Sequence, residues 1–351
     1  MTVNLAKTMT REPAYDGDAA KIVVLTNNRG VKATFMDIGA TWLSCKLPLN
    51  GEDKEVLLGV SGMADFEQHS TYFGATVGRF ANRISAGRFS ISGTQYQTHV
   101  NQGENILHGG PDGFNRRRWK IVDHSRSSVC FSLVSPDGDQ GFPGELKVLL
   151  TYTLTENSEI SIRYNATTDK ATPVNLTNHA YFNLQDAEQG SDCRQHKLKI
   201  NSHYYLPVDA DGIPLGSLRN VQGTNFDFLQ AQVISNRFLA DKEQQAAKGY
   251  DHCYLFDPER DVSHPVAELT NSDESIRLSV YTDKPGMQFY TGNWNQGTPR
   301  RAGGVYADYS GVALETQFLP DSPNHPEWPE PSSILNPGET YYYHTRYKFS
   351  F

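Results

Sequence analysis

His179 and Glu315 are the residues of this chain whose surroundings point most directly to chemistry. They lie in Asn175-Leu-Thr-Asn-His-Ala-Tyr-Phe-Asn-Leu184 and Ala313-Leu-Glu-Thr-Gln-Phe-Leu-Pro-Asp-Ser-Pro-Asn-His-Pro326, each inside a strand-like apolar run. An unpaired ionised group buried in such a run is costly, so it must be neutralised, paired or used. One imidazole and one carboxylate are the parts of a general acid/base pair. They can equally pair with each other or with a backbone group, because ordinary ion pairs also perturb titration.

Other polar segments interrupt the apolar alternation. In Gly78-Arg-Phe-Ala-Asn-Arg-Ile84, Asn82 and Arg83 offer hydrogen bonds of fixed geometry that suit a sugar ring, or form an exposed hairpin. In Asn105-Ile-Leu-His-Gly-Gly-Pro111, His108 precedes glycines that could let backbone approach a ligand, or it caps a strand end. An extended Thr177–Asn183 sends Thr177, His179, Tyr181 and Asn183 to one face and Asn178, Ala180 and Phe182 to the other. Asp251 and His252 interrupt the aromatics of Gly249–Phe256, and Gln288 shares a face with Tyr290, with Trp294 near enough to stack on a pyranose.

These segments must be held by strands. Residues 21–25, 31–35, 129–134, 146–154, 160–164, 276–281 and 341–347 combine β-branched or aromatic residues with period-two alternation. Asn50-Gly51, Asp137-Gly138, Asp211-Gly212 and Pro337-Gly338 supply turn chemistry between them. Helical periodicity is confined to short stretches at 62–67 and 238–243. No linker, charge block or fixed-period repeat divides the 351 residues, so one large all-β antiparallel sandwich over 1–351 is expected.

Charge and cysteine usage exclude other classes. Lys plus Arg is 32 against 40 Asp plus Glu, a formal net charge of −8, which argues against nucleic acid. The basic run Arg116–Arg118 reads as a solvated loop. Cys45, Cys130, Cys193 and Cys253 lack the CxxC spacing of zinc or redox sites and read as thiols in a reducing compartment. No secretory signal or span of ~20 apolar residues is visible, so a cytoplasmic protein without membrane association is expected. His108, His179, His252 and His325 lack the short spacing by which one element presents two histidines to one ion, so no metal is expected. No phosphate loop, GxSxG elbow or cysteine nucleophile is present to support a cofactor or acyl transfer.

Taken in order, Gly78–Ile84, Leu107–Gly110, Asn175–Leu184, Gly249–His252, Gln288–Asn293 and Leu314–Pro326 resemble the aldose 1-epimerase (galactose mutarotase) family from about residue 20 onward. The resemblance implies a β-supersandwich, no cofactor, and interconversion of the α and β anomers of a free aldohexose such as galactose or glucose; a monomer or homodimer is expected. It makes His179 the general acid and Glu315 the general base, and gives Asn82, Arg83, His108, Asp251 and Gln288 to sugar hydroxyls. Tyr181 and Trp294 remain aromatic contacts resting on face arguments. Residues 1–20, outside the resemblance, are expected to form a loosely ordered lead or an edge strand. A hexose 6-phosphate epimerase of the same superfamily would need a basic pocket, a noncatalytic sugar-binding sandwich would not need both buried groups, and a glycosidase would need two carboxylates.

The acid/base reading carries an electrostatic requirement. With Glu315 ionised and His179 protonated, unperturbed titrations near ~4.3 and ~6.5 leave little active form at neutral pH. A raised His179 pKa is therefore expected, with the alkaline limb of the rate profile belonging to the imidazole.

Overall fold

The protein, described here from a computed structural model, is seen over residues 4–69 and 71–351. Strand–strand pairing dominates, as the alternation predicts. Lys147 to Thr153 alternate exposed or half-buried with buried positions inside the strand Leu146–Leu154, and its Val148, Leu150, Tyr152 and Leu154 enter the core. This strand belongs to a nine-stranded sheet in the order 120–124, 128–135, 146–154, 159–168, 341–350, 277–282, 267–270, 197–200, 232–233. A four-stranded sheet is built from 22–26, 32–36, 41–49 and 52–55. Every paired strand is antiparallel among the described residues, apart from an isolated parallel bridge between Phe80 and Asn175.

The six-stranded sheet carries the site. Its order is 181–182, 312–317, 286–290, 251–255, 204–206, 219–220. Registered pairs Gln288↔Glu315, Tyr290↔Asp251 and Tyr181↔Ala313 put these side chains on one face, because directly opposed residues point the same way. The alternate positions Phe182, Val312, Leu314, Met287, Phe289 and Tyr254 enter the main hydrophobic cluster. That cluster also takes Phe35 and Trp42 from the four-stranded sheet and Phe131, Ile162, Val280 and Tyr347 from the nine-stranded one. Full burial of an aromatic or aliphatic side chain is worth about 1.5–3 kcal/mol. The register that turns Glu315 and Gln288 toward the cleft is therefore fixed by the hydrophobic residues on the opposite face.

Four sequence expectations are corrected. Residues 4–20 are neither a loose lead nor an edge strand. Leu5–Thr8 forms a helical turn, and Leu5, Met9, Ala14 and Ala20 bury against Met36, Ile38, Leu43 and Met63; residues 1–3 lie outside the described residues. The Arg116–Arg118 run is not a solvated loop. Arg117 Nη1 meets Asp139 Oδ2 at 2.6 Å, and Arg118 reaches Asp16 and Asp37 at 2.6 Å each, pinning the N-terminal segment; Arg116 stays exposed. The stretch 238–243 is not a helix. Leu239 is left-handed (φ 55°), and the helix starts at Lys242, where Asp241 accepts from the Gln244 N–H. Of the two glycines after His108, Gly109 is closed to a ligand, whereas Gly110 lines a neighbouring cavity. Gly109 (φ 88°) packs so tightly that a Cβ would lie 2.0 Å from the Gly78 carbonyl oxygen, so chain meets chain there.

Candidate active site

A cavity of about 430 Å³ opens over the polar face of the six-stranded sheet. It is lined by His179, Glu315, Asn82, Arg83, His108, Tyr181, Asp251 and Gln288, together with Tyr72, Asn101, Gln102, Leu107, Tyr290 and Trp294. At its floor, His179 Nε2 lies 3.4 Å from Glu315 Oε1, with both side chains almost fully buried. Glu315 is delivered by the strand Val312–Gln317. His179 is delivered between two short pairings: its N–H donates to the Ala75 carbonyl at 2.8 Å, and its carbonyl accepts from the Gly74 N–H at 2.9 Å.

The cleft wall is a chain of polar contacts. Arg83 Nε donates to Gln102 Oε1 at 2.7 Å, Arg83 Nη1 donates to Asn82 Oδ1 at 3.4 Å, and Arg83 Nη2 faces Asp251 Oδ2 at 3.9 Å. Asp251 Oδ1 accepts from Gln288 Nε2 at 2.6 Å. Asn82 and His108 hold each other: the His108 N–H donates to the Asn82 carbonyl at 3.0 Å, and the Asn82 N–H donates to His108 Nδ1 at 3.1 Å. Both have left-handed backbones, φ 65° and 51°, a conformation that non-glycine residues adopt at a cost and that clusters at functional sites. The other arginine of that motif, Arg79, turns into the interior and donates to the carbonyls of Pro143 and Gly144. His179 Nδ1, Gln288 Oε1 and Glu315 Oε2 are buried without a hydrogen-bond partner among the described residues.

Burial governs the electrostatics. It lowers His179 to about 3. It also raises Glu315 well above the carboxylate range, with the charge of Asp251 adding to the shift and Arg83 opposing it. The expected raised imidazole pKa is thus reversed: desolvation outweighs the backbone hydrogen bond that opposes it, and the same burial keeps the Glu315 carboxyl protonated to higher pH than an ordinary one. His108 is also held neutral, by burial first and then by His179. Because its Nδ1 accepts from a backbone N–H, its proton is on Nε2, making it a hydrogen-bond donor.

His108, His179 and Glu315 bring ligand-type atoms within 4.8 Å of one another, a trio invisible to short-spacing arguments because three separate elements supply it. The hydrogen bonding does not suit a metal. A ligating histidine normally donates its second N–H to an acceptor, whereas His108 Nδ1 faces a donor. His252 is buried against Tyr205 and Phe226, away from the cleft, and His325 pairs with Asp321 and Glu327. Asn183 also leaves its expected face, donating to the carbonyls of Ser191 and Ser310. Trp294 is 64% exposed at the cleft mouth, with Lys248 Nζ 3.7 Å from its ring centroid.

The aldose 1-epimerase family profile matches residues 21–348. The chain belongs to the aldose 1-epimerase family. It is 49% identical over 337 residues to an aldose 1-epimerase of Escherichia coli K12, covering 96% of this chain and 97% of the relative. It is 40% identical over 351 residues to a galactose mutarotase of Mus musculus, covering 99% of each. An aldose epimerase homologue from C. elegans superposes with a TM-score of 0.85 at 30% identity, over 95% of this chain and 99% of that one. The chain is accordingly an isomerase that interconverts sugar anomers, and its fold is galactose mutarotase-like. No helix among the described residues is long and apolar enough to cross a membrane.

Sequence reasoning missed Tyr72, Asn101 and Gln102. Tyr72 follows a short helix in a loop without periodicity, and Asn101-Gln102-Gly103 reads as ordinary turn composition. Only the fold shows that Gln102 fixes Arg83.

Proposed function

We propose that the cleft opens and recloses the pyranose ring of free aldohexoses such as galactose and glucose, with Glu315 and His179 exchanging the two protons the reaction moves. Opening takes the proton from the C1 hydroxyl to Glu315 while His179 protonates the ring oxygen, so the C1–O5 bond breaks without an alkoxide or an oxonium. The open aldehyde turns about C1–C2 and recloses on its other face with both transfers reversed. Opening converts the ion pair, carboxylate with imidazolium, into the neutral pair, carboxyl with imidazole. Burial favours that neutral pair in the empty cleft. The site is therefore preset for the open-chain intermediate: the carboxyl donates to the aldehyde oxygen, and neutral His179 accepts from the C5 hydroxyl. Transfer of one proton across the 3.4 Å gap readies it for a closed ring.

The observation that carries this reading is the single buried contact that brings His179 Nε2 within 3.4 Å of Glu315 Oε1. Around it, Arg83, Asn82, His108, Asp251 and Gln288 supply donors and acceptors for the remaining hydroxyls, and Tyr181 an apolar wall. Among the described residues that line the cleft Arg83 is the one permanent cation, and it is engaged by Asp251, Asn82 and Gln102, which favours a neutral sugar over a hexose phosphate. In polarimetry, freshly dissolved α-galactose and α-glucose are expected to equilibrate far faster with the protein than without it. Equal rates for both sugars with and without protein would refute the reading.

Arg83→Ala removes the hub between Gln102 and Asp251. It is expected to raise KM and lower kcat together, because misplacement by about an ångström can cost ~10² in rate. Unchanged steady-state kinetics would remove Arg83 from substrate positioning.

A further inference from the structure

His179 is the shared member of a run of three near-parallel rings. Tyr181 stacks on it with centroids 4.9 Å apart and planes at 20°, and Tyr72 with centroids 5.6 Å apart and planes at 19°. The two tyrosines reach it differently. Tyr181 is its neighbour two residues along the same extended segment and is itself braced by Phe73 and Tyr290. Tyr72 comes from a loop and meets the His108 ring in a T-shaped contact with centroids 4.7 Å apart.

The loop is tied to the histidine through the main chain. The Ala75 N–H donates to the Tyr72 carbonyl at 2.9 Å, and Gly74 and Ala75 bond the carbonyl and N–H of His179. Tyr72 also holds a left-handed backbone (φ 58°), unusual for an aromatic residue and sustained only where surrounding structure over-determines it. Its ring meets two of the cleft's histidines, His179 and His108. Behind it lies a second cavity of about 270 Å³, and Tyr72 lines both spaces. Without the ring, the imidazole loses one of its stacking faces.

We propose that Tyr72 is a positioning residue of the isomerase reaction: its ring, with Tyr181, fixes the plane of the His179 imidazole so that Nε2 stays aimed at Glu315 and the substrate's ring oxygen. The inference rests on the proposed role of His179 as the acid. Offset-stacked rings are geometrically selective, and an aromatic face additionally favours the imidazolium that forms when the ring is protonated. His108 and Glu315 are the other titratable groups against this imidazole, with Arg83 and Asp251 across the cleft.

The test is a set of kinetic comparisons on the full-length protein with α-galactose. Tyr72→Leu removes the ring and is expected to lower kcat by ~10-fold or more with KM within ~2-fold, because misorientation of a catalytic group acts on the transition state. Tyr72→Phe restores the ring and is expected to recover kcat to within ~3-fold of wild type. In a His179→Asn background, Tyr72→Leu is expected to change kcat by less than ~2-fold, since a residue acting through another has nothing left to act on. Wild-type kcat in Tyr72→Leu, equal losses in Leu and Phe variants, or the same loss in both backgrounds would overturn the proposal. A merely structural role predicts that last outcome. If Tyr72→Leu does not fold, Tyr72→Met, flexible and equally free of a ring face, carries the same comparison. Full activity in His179→Asn alone would instead refute the acid assignment, which separates the two failures.

Discussion

Glu315→Gln is expected to lower kcat by ~10² to 10⁴ while leaving the fold and most sugar affinity in place. The amide is nearly isosteric, sits opposite Gln288 in the same register, and can still hydrogen-bond a hydroxyl, but it cannot take the C1 proton. Its effect on thermal stability is expected to be small, because burial already favours the uncharged carboxyl at this position. The measurement is steady-state polarimetry paired with a thermal melt. A folded variant retaining more than about half of wild-type turnover would remove Glu315 from the mechanism.

His179→Asn is expected to cut turnover by ~10² or more through loss of the acid. Here the packing consequence differs, because the imidazole is stacked by Tyr72 and Tyr181 and asparagine leaves part of that space empty. A modest fall in thermal midpoint should therefore accompany the kinetic loss, with KM changing less than kcat. Retention of more than about half the activity would assign the ring-oxygen proton to another group. With both single variants in hand, the double variant should be scarcely worse than either, as for residues that act as a unit.

Much of the frame was legible because it rests on period two. The strand predicted at 146–154 is found with those bounds, and the hairpin turn at Asn50-Gly51 has both residues left-handed. Alternation also foretold that His179 and Tyr181 share a face while Phe182 takes the other, into the core. It failed where side chains find local polar partners. Asn183 is drawn to the carbonyls of Ser191 and Ser310, and the sequence around 238–243 defers its helix to the Asp241 cap. Arg116–Arg118 looked solvated because Asp16, Asp37 and Asp139, the carboxylates it meets, are distant in sequence. Tyr72 and Gln102 were invisible for a similar reason: each matters through one partner brought close only by the fold. The direction of the His179 shift was missed because neighbouring carboxylates can be guessed from a sequence, whereas the depth of burial that lowers the imidazole cannot.

The central claim is that Glu315 and His179 share one proton and that catalysis requires that single proton. Losing it or gaining a second then stops the reaction. With rising pH the proton leaves through the carboxyl, whose pKa burial raises, so the alkaline limb belongs to Glu315; with falling pH a second proton reaches His179, held at about 3, so the acid limb belongs to the imidazole. The most direct measurement is kcat/KM against pH for the wild type and Glu315→Gln, corrected for spontaneous mutarotation. The wild type should fall on an alkaline limb that is missing from the residual activity of Glu315→Gln. The same alkaline limb in both proteins would contradict the shared-proton pair.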